Sequence, residues 1–449
     1  MARWREQLQR RHASSSKPIK METSCPREST SQPKPKAKHT CPKVALTRSV
    51  RATLNSERSR NLSPKSRLNV TLLLTLSILI LLIAVCVSYP QRRASAQDAP
   101  NELEAVQPPV VNPMRVEGHA KCIDCHKLEV KAWLASKHAT RAFDLLRTSP
   151  RSRKYAKHLG IRPSDIAKKS VCVNCHATPM IDEAGRRSVL SGVSCESCHN
   201  AAGGEDGWLN RHASYGPRGT RREQESDSHY QARAAACETA GQLRTENLYQ
   251  LAKRCFACHV VSDEKLVEAE HDHGDRFELV TKMLGEVRHN FSQDTATNAE
   301  VATLWTDSLH YAAGRTSTGR KRVVFIVGQL VDLGTSLRSL ATGTEENDFT
   351  DLMIDRIDEA FGLLAEDLLE EVEDTELPEI EQAVEAVDPV FEKLDDDGFS
   401  TDDKQLYLEA ALQVGRAAQA FAARDGSKLE EIDDLDLLPE GPFAGVYQP

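Results

Sequence analysis

The first 67 residues carry no sustained apolar period, and then the pattern changes abruptly. Leu68 to Tyr89 runs for 22 residues without a charge, long enough as a helix to cross a bilayer. Residues 90–115, with their Pro, Gln and Asn, read as a linker. Beyond residue 292 apolar residues return at helical spacing. One stripe is Val323, Ile326, Val327, Leu330, Leu333, Leu337 and Leu340. A second is Met353, Ile357, Phe361, Leu364, Leu368 and Val372, and a third is Leu408, Ala411, Leu412, Val414, Ala418 and Phe421. Each predicts an amphipathic helix, and together they predict a small bundle over 293–449. Pro389, Gly398 and Pro439 are expected to mark its breaks.

Charge divides the chain in the same way. Residues 1–67 hold 17 Lys and Arg against 4 Asp and Glu, and residues 345–449 hold 6 against 32. The net charge of −8 averages these extremes. Residues 1–67 read as a basic disordered tail. A positive flank before the apolar run of 68–89 predicts a cytoplasmic N-terminus, with everything after Pro90 exported. Two readings of that run compete. One is a single-pass anchor, which would place the rest on the periplasmic side of a bacterial cytoplasmic membrane. The other is a signal peptide cut after Ala94-Ser95-Ala96, leaving a soluble periplasmic protein. Arg92 and Arg93 before the cut site, and the length of the run, favour the anchor. The tail then serves topology and anionic-lipid contact, and no nucleic-acid partner is expected. Acidity in the last 105 residues reads as a solvated helix face, or as a surface that docks a basic partner.

Aromatic residues make up only 5% of the chain, thin for a conventional core, while Cys (12) and His (15) are plentiful. The reason lies in one motif. Cys-x-x-Cys-His occurs four times: Cys122-Ile-Asp-Cys125-His126, Cys172-Val-Asn-Cys175-His176, Cys195-Glu-Ser-Cys198-His199 and Cys255-Phe-Ala-Cys258-His259. Two thiols on one turn add to the two vinyl groups of a haem, and the following His is held under the iron. Zinc could use paired Cys in Cys₄ sites, and disulfides suit an oxidising compartment. Neither requires a His directly after every second Cys. Four c-type haems pinned over 116–292 would replace the missing core. The expected fold is mainly α: a haem-packed domain with little β-structure, followed by an acidic helical bundle. The short step from Cys172 to Cys195 suggests contact between the second and third haems. Cys25, Cys41, Cys86 and Cys237 read as unpaired, non-functional thiols.

A second axial ligand, if present, is expected to be His, because Met is scarce; His/His ligation sets a lower potential than His/Met. Outside the motifs and the tail, the candidates are His119, His138, His158, His212, His229, His271, His273, His289 and His310. Trp133 and His138 fall near one helix face, and His289 ends an amphipathic helix carrying Phe277, Val280, Leu284 and Val287.

Several stretches in this tract resemble the tetrahaem cytochrome c-554 family of ammonia-oxidising bacteria. They are GHAKCIDCHKLEVKAWLASKHA (118–139), GVSCESCHN (192–200), WLNRHASYG (208–216), RCFACHV (254–260) and FELVTKMLGEVRHNF (277–291). The resemblance implies distal ligands at His138, His212 and His289. It also implies that the second haem, on His176, is five-coordinate. His119 is a departure that could fill a free position.

Covalently held, closely spaced haems with complete ligand pairs pass electrons. The expected function is therefore electron transfer between redox partner proteins, in a respiratory or nitrogen-compound redox chain. The alternative is an enzyme acting on NO, hydroxylamine or nitrite at an open haem on His176. Lys393–Lys404 superficially suggests a calcium loop, but it has Lys where the first ligand and the bidentate Glu belong, so a turn between helices is expected.

Overall fold

The computed structural model describes residues 111–440, except 169, 183, 190, 222–223, 272–276 and 286–316. The chain divides into two units, 1–99 and 100–449. The basic tail, the apolar run Leu68–Tyr89 and most of the linker lie outside the described residues, as do His273, His289 and His310.

The described part is mainly helical. Its first helices are α1 (Lys127–Ala135), α2 (Lys137–Thr140), α3 (Ala142–Thr148), α4 (Pro150–His158) and α5 (Cys172–His176). A two-stranded hairpin follows, β1 (Pro179–Ile181) antiparallel to β2 (Arg187–Val189). Then come α6 (Cys195–His199), α7 (Trp208–His212), α8 (Asp227–Thr239), α9 (Leu248–His259), α10 (Glu264–Glu268) and α11 (Leu279–Leu284). Local chemistry sets several starts: Ser149 caps α4 with Pro150 in its first turn, and Asn247 caps α9. The core here is broken into small patches. One joins Leu146, Ala156, Ile166, Val173 and Ala177, and another joins Ala202, Trp208 and Cys237. Met114, Ile123, Leu134, Leu145 and Val171 are left exposed.

The bundle is different. It comprises α12 (Ser317–Leu340), α13 (Asp348–Gly362, running on as a π-helical turn Leu363–Leu369), α14 (Pro378–Asp397) and α15 (Lys404–Phe421). All seven apolar residues of the first stripe are buried on α12, and the second stripe is buried along α13 and its continuation. Gly319–Leu340 is long and apolar enough to span a membrane, yet it is wholly buried. It also carries Arg322, which pairs with Asp433, and Asp332, which pairs with Arg356 at 2.6 Å. It is therefore the core helix of the bundle.

The two parts share this helix. α9 and α11 pack on α12, and α10 packs on α13. Glycines permit the approach: a Cβ on Gly328 would stand 3.0 Å from Leu279 Cβ, and one on Gly415 would stand 2.7 Å from Tyr249 Oη.

Two local expectations are corrected. Pro389 does not break the bundle, because it lies inside α14. Proline removes the N–H that would bond the carbonyl of Glu385, but both residues are exposed, so water can take that carbonyl. Trp133 and His138 do not share one helix, because Ser136 is extended and its hydroxyl accepts Ala139 N–H to start α2. Gly398, at φ 74°, does end α14, and within Lys393–Lys404 the connection between α14 and α15 is Gly398–Asp403, the flanking residues being helical.

Candidate haem centre

Each motif histidine sits where a short helix or turn delivers it. The first motif is a turn after the 3₁₀ segment His119–Lys121, the second is α5, the third is α6, and the fourth is the last turn of α9. Placing Cys, Cys and His within about one helical turn puts both thiols and the imidazole on one side of the backbone.

Buried hydrogen bonds hold these pieces together. The buried Glu196 carboxylate, inside the third motif, accepts the backbone N–H groups of Glu117, Gly118 (2.8 Å) and Ala202 (2.8 Å). It thus ties the segment before the first motif to the third. Thr178 Oγ1 lies 2.6 Å from Ser197 Oγ and accepts Ser194 N–H at 2.8 Å, joining the second motif to the third. Trp133 Nε1 donates to Val193 O (2.7 Å), and Val193 N donates to His138 O (3.0 Å). A Cβ on Gly192 would meet His138 O at 1.9 Å, so only glycine fits there.

The histidines themselves are oriented. His176 Nδ1 donates to Ala142 O at 3.0 Å, and His199 Nδ1 donates to Leu243 O at 2.7 Å. Fixing the proton on Nδ1 leaves the Nε2 lone pair for a metal. Burial pushes the His176 imidazole below its ordinary range. His259 is pushed down to about 4, first by burial and then by the charges of His138, Lys282 and His176. Both rings are neutral at pH 7, the form that ligates.

Second histidines face two of the motif rings. His126 Nε2 and His212 Nε2 are 3.5 Å apart with their rings stacked. His138 and His259 have ring centres 6.1 Å apart at 68°. Metal–imidazole bonds of about 2 Å require roughly 4 Å between two axial nitrogens, hence roughly 6 Å between ring centres. Both pairs stand close to that spacing. Below His212, Arg233 Nη1 donates to its carbonyl at 2.9 Å, and Glu225 binds the same guanidinium through two further bonds. The Gln242 amide lies 3.4 Å from His212 Nδ1.

The predicted thiols are brought together in an unexpected order. Cys122 hydrogen-bonds Cys195, and Cys175 hydrogen-bonds Cys258. The first motif thus neighbours the third, and the second neighbours the fourth, beside the Thr178 bonds that join the second to the third. Burial pushes the Cys198 and Cys255 thiols up, whereas hydrogen bonds with Cys258 and Cys122 pull those of Cys175 and Cys195 down. Among the described residues, no three Cys, His, Asp or Glu side chains converge on a metal-ion site. The donor set fits haem better than zinc: paired imidazoles, thiols in twos, and exposed apolar side chains such as Ile123 and Val171 beside the motifs.

The other candidates fall elsewhere. His119 lies 4.7 Å from the Trp133 ring. His158 lies beside Glu268 and His229 beside Glu225. His289 is outside the described residues. Cys237 is fully buried, its Sγ directed at Trp208 O, and burial pushes it up, as suits a core residue. Sequence reading missed the roles of Glu196, Arg233 and Gln242. They act through backbone and ring contacts that no local spacing announces.

Comparison with known proteins gives the same direction. Residues 121–200 match the family model described as Cytochrome c554 and c-prime. Cytochrome c-554 of Nitrosomonas europaea (strain ATCC 19718) is 34% identical over 90 residues, 18% of this chain. The chain spans 37% of the length of that relative. No solved structure matches. The resemblance to the cytochrome c-554 family therefore holds over a small part of the chain, which includes the first three motifs. It implies covalently bound c-type haem.

Proposed function

We propose that this chain, whose residues 121–200 carry the cytochrome c-554 pattern, is a tetrahaem electron carrier. Cys122 and Cys125, Cys172 and Cys175, Cys195 and Cys198, and Cys255 and Cys258 would each hold one haem through two thioether bonds. His126, His176, His199 and His259 would be the proximal ligands. The observation that carries this reading is the His126–His212 pair, whose Nε2 atoms face each other 3.5 Å apart. His138 would complete the haem on His259, and His289 would be a further distal ligand.

Bound haem supplies a one-electron couple, and the protein's part is to fix it. Paired imidazoles, His126 with His212 and His259 with His138, would hold two of the haems and would supply the same ligand type in both redox states. The bond from Nδ1 to a carbonyl sets ring orientation. Thiol neighbours from different motifs support close packing of the first group with the third and of the second with the fourth. Electrons would enter from one redox partner protein and leave to another, in a respiratory or nitrogen-compound chain. Leu68–Tyr89 would hold the chain at a membrane with the haem segment exported.

The test is the protein produced in a host that attaches c-type haem. Mass spectrometry is expected to give four haems per chain, and the reduced-minus-oxidised spectrum is expected to be that of a c-type cytochrome. Assays with NO, hydroxylamine and nitrite are expected to give no turnover. Fewer than four attached haems, or turnover of one of these compounds, would refute the carrier reading.

A further inference from the structure

We propose that His271 is the second axial ligand of the haem carried by Cys172, Cys175 and His176, closing the position that the family resemblance implies is open. The proposal rests on the reading of that motif as a haem site.

Three observations carry it. First, His271 and His176 have ring centres 6.2 Å apart at 72°. His138 and His259 stand at 6.1 Å and 68°, so the two arrangements match. An axial pair needs roughly 6 Å between ring centres, and its two ring planes can take any angle about the iron axis.

Second, one hairpin holds both rings. The Ala142 carbonyl, at the start of α3, takes the Nδ1 proton of His176. From α4, Tyr155 Oη donates to Glu270 O at 3.0 Å, Lys154 pairs with the Glu270 carboxylate, and His158 Nε2 lies 3.4 Å from Glu268. The Tyr155 ring itself lies 5.0 Å from the His271 ring. α3 and α4 pack on each other, and α3 packs on α5. The two imidazoles are therefore set relative to one another through a single pair of helices.

Third, the loop bearing His271 is held in a conformation that costs free energy. Glu270 has φ 61°, in the left-handed region that non-glycine residues rarely occupy. His271 N then donates back to Leu266 O at 2.9 Å, closing the turn after α10. A left-handed glutamate persists only where its surroundings over-determine it. Here the helix C-cap itself does so, Glu270 N donating to Val267 O at 2.8 Å beside the His271 bond, while Tyr155 Oη on Glu270 O ties the turn to α4.

The test uses the full haem-loaded protein. Mass spectrometry of the peptide containing Cys172 and Cys175 first establishes that its haem is attached. In the unaltered chain the ferric form is expected to be wholly low-spin by EPR, and the reduced form is expected to ignore CO. In His271→Ala one haem in four is expected to become high-spin and to bind CO. In His271→Met all four are expected to stay low-spin while one potential rises, which keeps the proposal testable if the alanine variant folds poorly. If the alanine variant gains no CO-binding haem, or the methionine variant leaves every potential unchanged, His271 is not a ligand. A haem-free Cys172–Cys175 peptide would overturn the attachment reading, and the ligand assignment with it.

Discussion

At the scale of single residues, the case for His212 as a ligand depends on what stands behind it. Glu225 and Arg233 form a two-point ion pair with both side chains almost fully buried, and Arg233 passes one N–H to the His212 carbonyl. Removing one member of a buried pair leaves the other charge uncompensated, at about 3–5 kcal/mol. Arg233→Met is expected to lower stability by about that amount, measured by denaturant unfolding of the haem-loaded protein. It should also perturb the low-spin EPR signal of the His126–His212 haem. The pair has a definite pH signature. The guanidinium of Arg233, and then His229, hold the Glu225 carboxyl below its usual range. Its contribution is thus present above the unfolded carboxylate pKa and is lost as pH falls through the depressed folded value. Acid unfolding of Arg233→Met should lack this component. An unchanged acid profile would show that the pair does not support the site.

At the scale of elements, close backbone approaches matter more than propensity. Gly192 lies against the His138 carbonyl, where any Cβ would overlap it. Gly192→Ala is expected to cost about 1–3 kcal/mol and to displace His138, opening the haem on His259 to CO. Gly362→Ala is the control: nothing lies within 4 Å of its added Cβ, and in helical backbone it should raise stability by up to about 1 kcal/mol. Equal effects in the two variants would sink this account. The same elements mark what the sequence could reveal. The stripe from Val323 to Leu340 and the one from Met353 to Val372 were legible, since burial on one face leaves a 3.6-residue period. α14 was harder to see. Its buried Ile380, Val384, Val387 and Phe391 have the same period, but Pro389 interrupts it as a supposed breaker. The break at Ser136 was hidden because Trp133 and His138 are joined through Val193, 60 residues away in the case of Trp133. The four motifs were fully legible, being local chemistry. Their neighbours were not: the pairing of Cys122 with Cys195 and the approach of His271 to His176 are products of tertiary packing.

At the scale of the whole molecule, the acidic bundle is no detachable appendage. α12 packs against α9, which carries the fourth motif, so removing the helices after it would strip the core from beneath Cys255, Cys258 and His259. The role of the charge must therefore be tested by neutralisation. On α14 the exposed Glu381, Glu385, Asp388, Glu392 and Asp396 recur three or four residues apart along one face. Like charges at that spacing repel by about 0.2–0.5 kcal/mol per pair. Asp388, whose carboxyl is partly shielded although the residue is exposed, is pushed up first by that shielding and then by the charges of Glu392 and Glu385. A raised carboxyl disfavours the folded state once it is ionised, so stability is expected to fall as pH rises through its folded value. Asp388→Asn is then expected to raise stability at pH 7 in low salt. The gain should shrink at high salt, where exposed charges are screened over a few ångströms, and vanish in acid, where Asp388 is protonated in both states. Thermal unfolding at two pH values and two salt concentrations checks this. A face that keeps a repulsive stripe at a cost in stability is under some other demand, and docking of a basic redox partner would supply one. If docking is that demand, Asp388→Asn should slow reduction by the partner at low salt and leave the rate at high salt unchanged. Equal rates at both salt concentrations would leave the stripe with a solvation role only.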